Sequence, residues 1–172
     1  LVSLVKYVAD PDEDLPAITY WLMGSMSRAT YQGLAVGIPL ILLGVALLFL
    51  LRWRLNILSL QEDETRALGI DVRKLRIMVM AASTLVTASC VSLCGQVGWV
   101  GLLIPHVARM LYGSDNRKII PVSMGLGSAF MVVIDTASRA ATAAEIPVSI
   151  LTAIIGAPFF IILLRRTGGA RL

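Results

Sequence analysis

The side chains able to do chemistry in this chain are gathered rather than spread. Residues 52–76, RWRLNILSLQEDETRALGIDVRKLR, hold ten of its 26 charged residues. Within that stretch, 59–69 (SLQEDETRALG) reads as a short helix. Ser59 serves as N-cap, Glu62 lies three residues on as in a capping box, and Gly69 supplies the stop. Acids fill the first turns and Arg66 follows, the order a helix dipole favours. Leu60, Ala67 and Leu68 give a small apolar face beside Glu64 and Arg66. The chemistry on offer is ionic recognition of a soluble partner. The spacing alone fits a solvated loop that turns the chain equally well.

Nothing elsewhere offers bond-making. There is no phosphate loop, nucleophile–base pair or metal-ligand cluster, so neither an enzyme nor a resident cofactor or metal is expected. Cys90 and Cys94, one helical turn apart in an apolar run, are expected as small core residues. Gly95, Gly98 and Gly101 leave no side chains where one apolar run gives way to the next, so the backbone can turn sharply and pack closely. Pro105 removes a helix hydrogen bond and predicts a kink. His106 reads as a hydrogen-bonded structural residue, and Arg109 as a snorkelling or carbonyl-capping base. Asp135 and Arg139 stand four apart, the spacing of a helical ion pair. Ser149, Thr152 and Gly156 follow at three and four, a pattern that suits either a pathway-lining face or a packing face.

The elements that must carry these residues are membrane spans. The chain has 172 residues, is 57% hydrophobic with mean hydropathy +0.81, and only 15% of it is charged. A soluble domain has roughly 25% charged residues. Five apolar runs, 33–51, 77–94, 97–112, 119–134 and 146–164, approach the length needed to cross about 30 Å of hydrocarbon. The third and fourth are short and hold Gly and Pro, so they are expected to be bent, tilted or sheltered by neighbours. Residues 18–26 form a short amphipathic piece after an acidic turn, with Tyr20 and Trp21 suited to an interface. Residues 1–8 read as the end of a further span. The fold expected is an all-α, polytopic transmembrane bundle of about five spanning helices with short interfacial and connecting helices.

Charge sets the orientation. If the runs alternate, 52–76, 109–118 and 165–172 share one side and carry 12 of the 15 Lys and Arg residues. The positive-inside rule makes that side cytoplasmic. Bases beside membrane spans account for the net charge of +4, and no nucleic-acid partner is expected. Lacking an initial Met and starting outside at a helix end, the chain is expected to be the C-terminal part of a longer permease.

The string Gly95-Gln-Val-Gly-Trp-Val-Gly-Leu-Leu-Ile-Pro-His-Val-Ala-Arg109 resembles the FecCD-type permease family. These are membrane subunits of ATP-driven importers of iron(III)-siderophores, haem, vitamin B12 and some oxyanions. Further matches fall in the same order: Trp21-Leu-Met-Gly-Ser25, Leu58-Ser-Leu-Gln-Glu-Asp63, Arg66-Ala-Leu-Gly69, Asp115-Asn-Arg117, Asp135-Thr-Ala-Ser-Arg139, Glu145-Ile-Pro147 and Gly156-Ala-Pro-Phe159. The resemblance covers essentially all 172 residues. Gln61, Thr65, Gln96 and Trp99 stand where the family usually has Gly, Ala, Pro and Phe.

Family members resemble ten-span proteins of about twice this length, so residues 1–172 would be one permease domain holding the last five spans. The resemblance implies that 59–69 is a coupling helix docking into a cytoplasmic ATPase through Glu62, Glu64, Arg66, Leu68 and Gly69. It implies that Arg139 meets an acidic residue of an extracytoplasmic binding protein, and that Ser149, Thr152 and Gly156 lie on a pathway-lining last span. The partners implied are a second permease copy, two ATPases, one binding protein and membrane lipid, in the inner membrane of a prokaryote. An iron(III)-siderophore is the first expected cargo, with haem, cobalamin and molybdate or tungstate as alternatives. An ion-coupled secondary transporter is a competing reading. Against it, Arg109 is the sole Asp, Glu, Lys or Arg within the five runs. A non-transporting membrane scaffold is a second competitor.

Overall fold

A computed structural model describes residues 2–12, 14–27, 29–59, 71–141 and 145–168. Its described elements are α1 (Val2–Val8), α2 (Asp14–Met23), α3 (Tyr31–Leu55), a 3-10 turn (Asn56–Ser59), α4 (Val72–Cys94), α5 (Val100–Tyr112), α6 (Asn116–Ala140) and α7 (Val148–Gly168). Most of each of the five apolar runs lies in one of the helices α3 to α7, with 97–99 and 146–147 ahead of α5 and α7. The expected coupling helix at 59–69 falls, apart from the backbone of Ser59, outside the described residues.

Polar residues at the ends set where the helices begin and stop. Thr30 caps α3, its hydroxyl accepting from the Gly33 N–H at 3.1 Å. Asp71 caps α4 by accepting from the Lys74 N–H at 3.0 Å, and Asp115 caps α6 by accepting from the Arg117 N–H at 3.0 Å. Such caps occupy backbone donors that the first helical turn leaves unsatisfied. Gly113, at φ +74°, ends α5, and its N–H returns to the Arg109 carbonyl at 2.9 Å.

Among the described residues, three helical stretches are long and apolar enough to cross a membrane: Tyr31–Leu58, Val72–Cys94 and Asn116–Ala140. The third of these departs from the expectation of a short fourth run. The polar residues flanking 119–134 continue the helix at both ends, giving 25 residues in all. At 13 residues, α5 is a shorter apolar helix, about 20 Å long. Helices α3, α5, α6 and α7 each hold an internal proline, Pro39, Pro105, Pro121 and Pro158.

The chain divides into two units. One gathers Leu1–Ala29, Cys94–Leu103 and Met131–Leu172; the other gathers Thr30–Leu93 and Ile104–Phe130. In the first, Ile134, Val148 and Thr152 are buried; in the second, Leu75, Ala82 and Ala108 are. In the second unit α3 and α4 meet through glycines. A Cβ on Gly37 would stand 2.6 Å from Leu93 Cδ1, and one on Gly44 would stand 2.5 Å from Val86 Cγ2. Close approach over small residues is how helices associate where lipid offers no hydrophobic drive.

Large apolar side chains face outward along these helices, among them Leu42, Leu50, Met80, Val132, Val133 and Ile154. In water such a surface would aggregate; against lipid tails or further helices it is the expected exterior. Cys90 corrects the expectation of a core residue, because it is exposed, while Cys94 is half-buried. The buried stripe of α4 runs through Leu75, Ala82 and Ser89, and Cys90 sits one residue, about 100° of helix, off it.

Candidate functional site

In the first unit the sequence motifs at Gly24, Gly95 and Pro147 converge on one polar knot. Ser25 donates its N–H to the Cys94 carbonyl at 2.9 Å, and the Val148 N–H reaches the Gly24 carbonyl at 3.2 Å. The Ser149 hydroxyl donates to the Gln96 carbonyl at 2.8 Å. Gly24 and Gly95 have φ of +67° and +73°. Thus the apolar runs are joined by backbone groups that bond one another, as buried or lipid-facing chain ends require.

Of the three turn glycines, Gly95 alone is pressed by neighbours. A Cβ on Gly98 or Gly101 would meet nothing within 4 Å. On α5, Pro105 and His106 are half-buried and Arg109 is exposed in the last turn. Thr152 is buried, its hydroxyl donating to the Ser149 carbonyl at 3.1 Å, so this side chain faces packing rather than an open lumen within the chain. Gly156 is also buried, and Trp99 fills the space over it, with ring edge against Phe160 at a centroid distance of 6.4 Å. Trp99 takes φ 65°, a left-handed conformation rare for a bulky residue. Its spacing gave no signal for that; a Gly-x-x-Gly string around an aromatic is the one hint.

Beyond the knot, the Asp135–Arg139 pair forms. Arg139 donates through Nε to Asp135 Oδ2 at 2.9 Å and through Nη2 to Oδ1 at 3.2 Å. Side-chain exposures are 48% for Arg139 and 25% for Asp135, so the guanidinium is held by a carboxylate while remaining half exposed. Nearby in sequence, Glu145 accepts from the Ser27 hydroxyl, and the Ser138 hydroxyl donates to the Ile146 carbonyl. Glu145 also lines a cavity of about 460 Å³ with Leu15, Pro16, Thr19, Tyr20 and Ile150.

In the second unit a different polar cluster ties the end of α3 to the start of α6. Asn56 donates through Nδ2 to Asp115 Oδ1 at 2.7 Å and accepts at Oδ1 from the Asn116 N–H at 2.9 Å. The Arg117 guanidinium lies 3.7 Å over the Trp53 ring, and that of Arg52 lies 3.6 Å over Phe49. The hydrogen bond from Asn56, followed by that from the Arg117 N–H, holds the Asp115 carboxyl below the usual carboxylate range. Sequence reading had Asp115-Asn-Arg117 as a motif and missed its partner, because Asn56 lies 59 residues away. Glu62, Glu64, Arg66, Leu68 and Gly69 lie outside the described residues. Among the described residues, no group of three or more His, Cys, Asp or Glu side chains is placed to hold a metal.

Long apolar helices with capped, charged ends and lipid-facing sides define a multi-pass membrane protein. The chain matches the FecCD transport family over residues 1–166 and belongs to it. It is 44% identical over 166 residues to the molybdate import system permease protein MolB of Haemophilus influenzae, covering 96% of this chain and 49% of that protein. It is 38% identical over 152 residues to the Fe(3+) dicitrate transport system permease protein FecC of Escherichia coli, covering 88% and 46%. A solved structure described as an inward-facing metal-chelate type ABC transporter superposes with TM-score 0.90 at 43% identity, over 95% of this chain and 53% of that one. The chain therefore spans about half the length of the curated relatives it matches. Family and helices together make it a multi-pass protein of the prokaryotic inner membrane.

Proposed function

We propose that residues 1–172 form the C-terminal portion of a permease domain in an ATP-driven importer. Substrate crosses by alternating access, and hydrolysis occurs on two separate cytoplasmic ATPases. The observation that carries this reading is the match in fold, at high identity and along nearly the whole chain, to a transporter of that class. In this reading 59–69 is the coupling helix, Glu62, Glu64, Arg66, Leu68 and Gly69 contact the ATPase, and Arg139 meets the extracytoplasmic binding protein. Ser149, Thr152 and Gly156 belong to the last span, and a second permease copy completes the pathway. The five apolar runs hold no acid, and Arg109 is their sole Asp, Glu, Lys or Arg, which weighs against an ion-coupled transporter.

The cargo in this reading is an iron(III)-siderophore or a related metal chelate. A second reading, molybdate, is favoured by the 44% identity to a molybdate permease. The test is reconstitution of the permease and its ATPases in liposomes with the binding protein inside the assay. Vanadate-sensitive uptake of an iron(III)-siderophore, or of molybdate, supports importer function and chooses the cargo. Uptake driven by an ion gradient without ATP would overturn it.

A further inference from the structure

We propose that Asn56 is a positioning residue that makes the start of α6 follow the end of α3, the span that leads into the 60–70 segment. This rests on the importer reading above, in which that segment is pushed by an ATPase. The segment continues directly into α4 through the Asp71 cap and follows directly from α3 through the 3-10 turn. Helix α6 begins 45 residues further along the chain. Its link to the turn is the Asn56 amide.

The geometry is directional. The Asn116 N–H can only donate, so it fixes Oδ1 of Asn56 toward it, and Nδ2 must then face Asp115. One side chain thereby holds both the capping carboxylate of α6 and the first backbone donor of that helix. The carboxylate is ionised and accepts a charged hydrogen bond at 2.7 Å, among the stronger kinds available to a protein. Trp53 adds a second contact one turn back, beneath Arg117. A rigid helix gripped at its first turn by Trp53 of α3 and Asn56 of the turn that follows moves with α3 rather than sliding past it.

Nδ2 of Asn56 and the Arg117 N–H meet the same oxygen, Oδ1 of Asp115, so that position needs an oxygen acceptor and position 56 an amide donor. The change Asn56→Asp sets two carboxylates face to face, whereas Asp115→Asn keeps an oxygen that accepts both donors. The experiment measures phosphate release and uptake of molybdate and of an iron(III)-siderophore by the intact permease with its ATPases. In Asn56→Asp, uptake per ATP should fall by at least about tenfold while ATP hydrolysis stays within about twofold of the parent. Asp115→Asn, which keeps the shared acceptor, should lose much less of that ratio. Should Asn56→Asp fail to accumulate in membranes, Asn56→Ala, which removes the bridge without opposing charges, is read by the same ratio. An unchanged ratio in Asn56→Asp, or an equal loss in Asp115→Asn, would overturn the role of Asn56 and leave the importer reading standing. A parent complex whose uptake does not depend on ATP would overturn both.

Discussion

The α-carbon of Gly95 sits directly against the carbonyl oxygen of Trp21, so that a Cβ there would stand 2.2 Å from that oxygen. The backbone is also left-handed, at φ +73°. Neither the conformation nor the space admits a side chain. The Gln96 N–H, donating to the same carbonyl at 3.4 Å, would be displaced with it.

Gly95→Ala should therefore destabilise the permease by about 2–4 kcal/mol, from left-handed strain and steric displacement together. Gly98→Ala is the internal control, since a Cβ there meets nothing within 4 Å. Thermal melts in detergent should separate the two variants clearly. Equal melting temperatures would show that the Gly95 contact does not exist in the membrane-extracted protein.

A second close approach joins Trp99 and Gly156, where an added Cβ would lie 2.6 Å from Trp99 Cβ. Gly156→Ala should cost about 1–3 kcal/mol by overpacking. Trp99→Gly removes both the obstructing side chain and the left-handed cost at φ 65°, at the expense of the Phe160 contact. The double variant should thus be less damaged than the two singles summed, by at least about 0.5 kcal/mol. Strict additivity in melting measurements would refute direct contact.

These two contacts mark the boundary of what could be read from the chain. Hydropathy located all five apolar runs, since a stretch such as 33–51 has no charge and no competing periodicity. The Asp135–Arg139 pair was readable because its partners are one turn apart on one helix. The Asn56–Asp115 bond was not, because no local rule connects residues 59 apart in different spans. Cys90 was misplaced for a related reason: when a helix is apolar all round, composition does not tell which stripe faces protein and which faces lipid. The length of α6 was underread because Asn116, Arg117 and Lys118 looked like loop, whereas Asp115 caps them into the first turn.

Asp71 gives a pH-dependent handle at the edge of the 60–70 segment. The Lys74 N–H bonded to it is the chief cause that lowers its carboxyl below the ordinary carboxylate value, with the Lys74 ammonium, 3.3 Å away, acting in the same sense. A carboxyl with a depressed folded pKa contributes fully above its unfolded value, near 3.9, and loses that contribution as pH falls through the folded one. Amide exchange in the first turn of α4 should therefore quicken below about pH 4. Asp71→Asn keeps an acceptor for the Lys74 N–H and should flatten this dependence, while Asp71→Ala should show fast exchange at every pH. An acid response that survives in Asp71→Asn would assign it to another group.

Arg139→Glu should weaken docking of the binding protein by at least about tenfold, because it sets like charges against an acidic partner and against Asp135 on its own helix. Arg139→Ala separates the two effects: it removes the attraction without adding repulsion and should weaken docking less. ATP hydrolysis by the complex without the binding protein should stay near the parent level in both. Surface-bound permease titrated with binding protein measures this directly, and the loss should shrink as salt rises, since exposed charges are screened over about 8 Å at physiological ionic strength. An affinity untouched by either change would remove Arg139 from the interface.

The coupling assignment is tested by altering 59–69 itself. Its residues offer an ATPase groove acidic and basic groups within two turns, Glu62 and Glu64 beside Arg66, and a stop at Gly69. Gly69→Pro alters the exit of that segment without touching a charge, and forces Leu68 away from helical backbone. Deleting residues 62–68 removes the contact altogether. Force cannot then reach Asn56, at the start of the turn that leads into the segment, or Asp71, which follows it. Both variants should retain ATP hydrolysis on the ATPase subunits while uptake falls by at least about tenfold, and the deletion should also release the ATPases on purification. If the deletion variant kept parental uptake, the segment would be a turn between spans, and energy would have to enter the permease elsewhere.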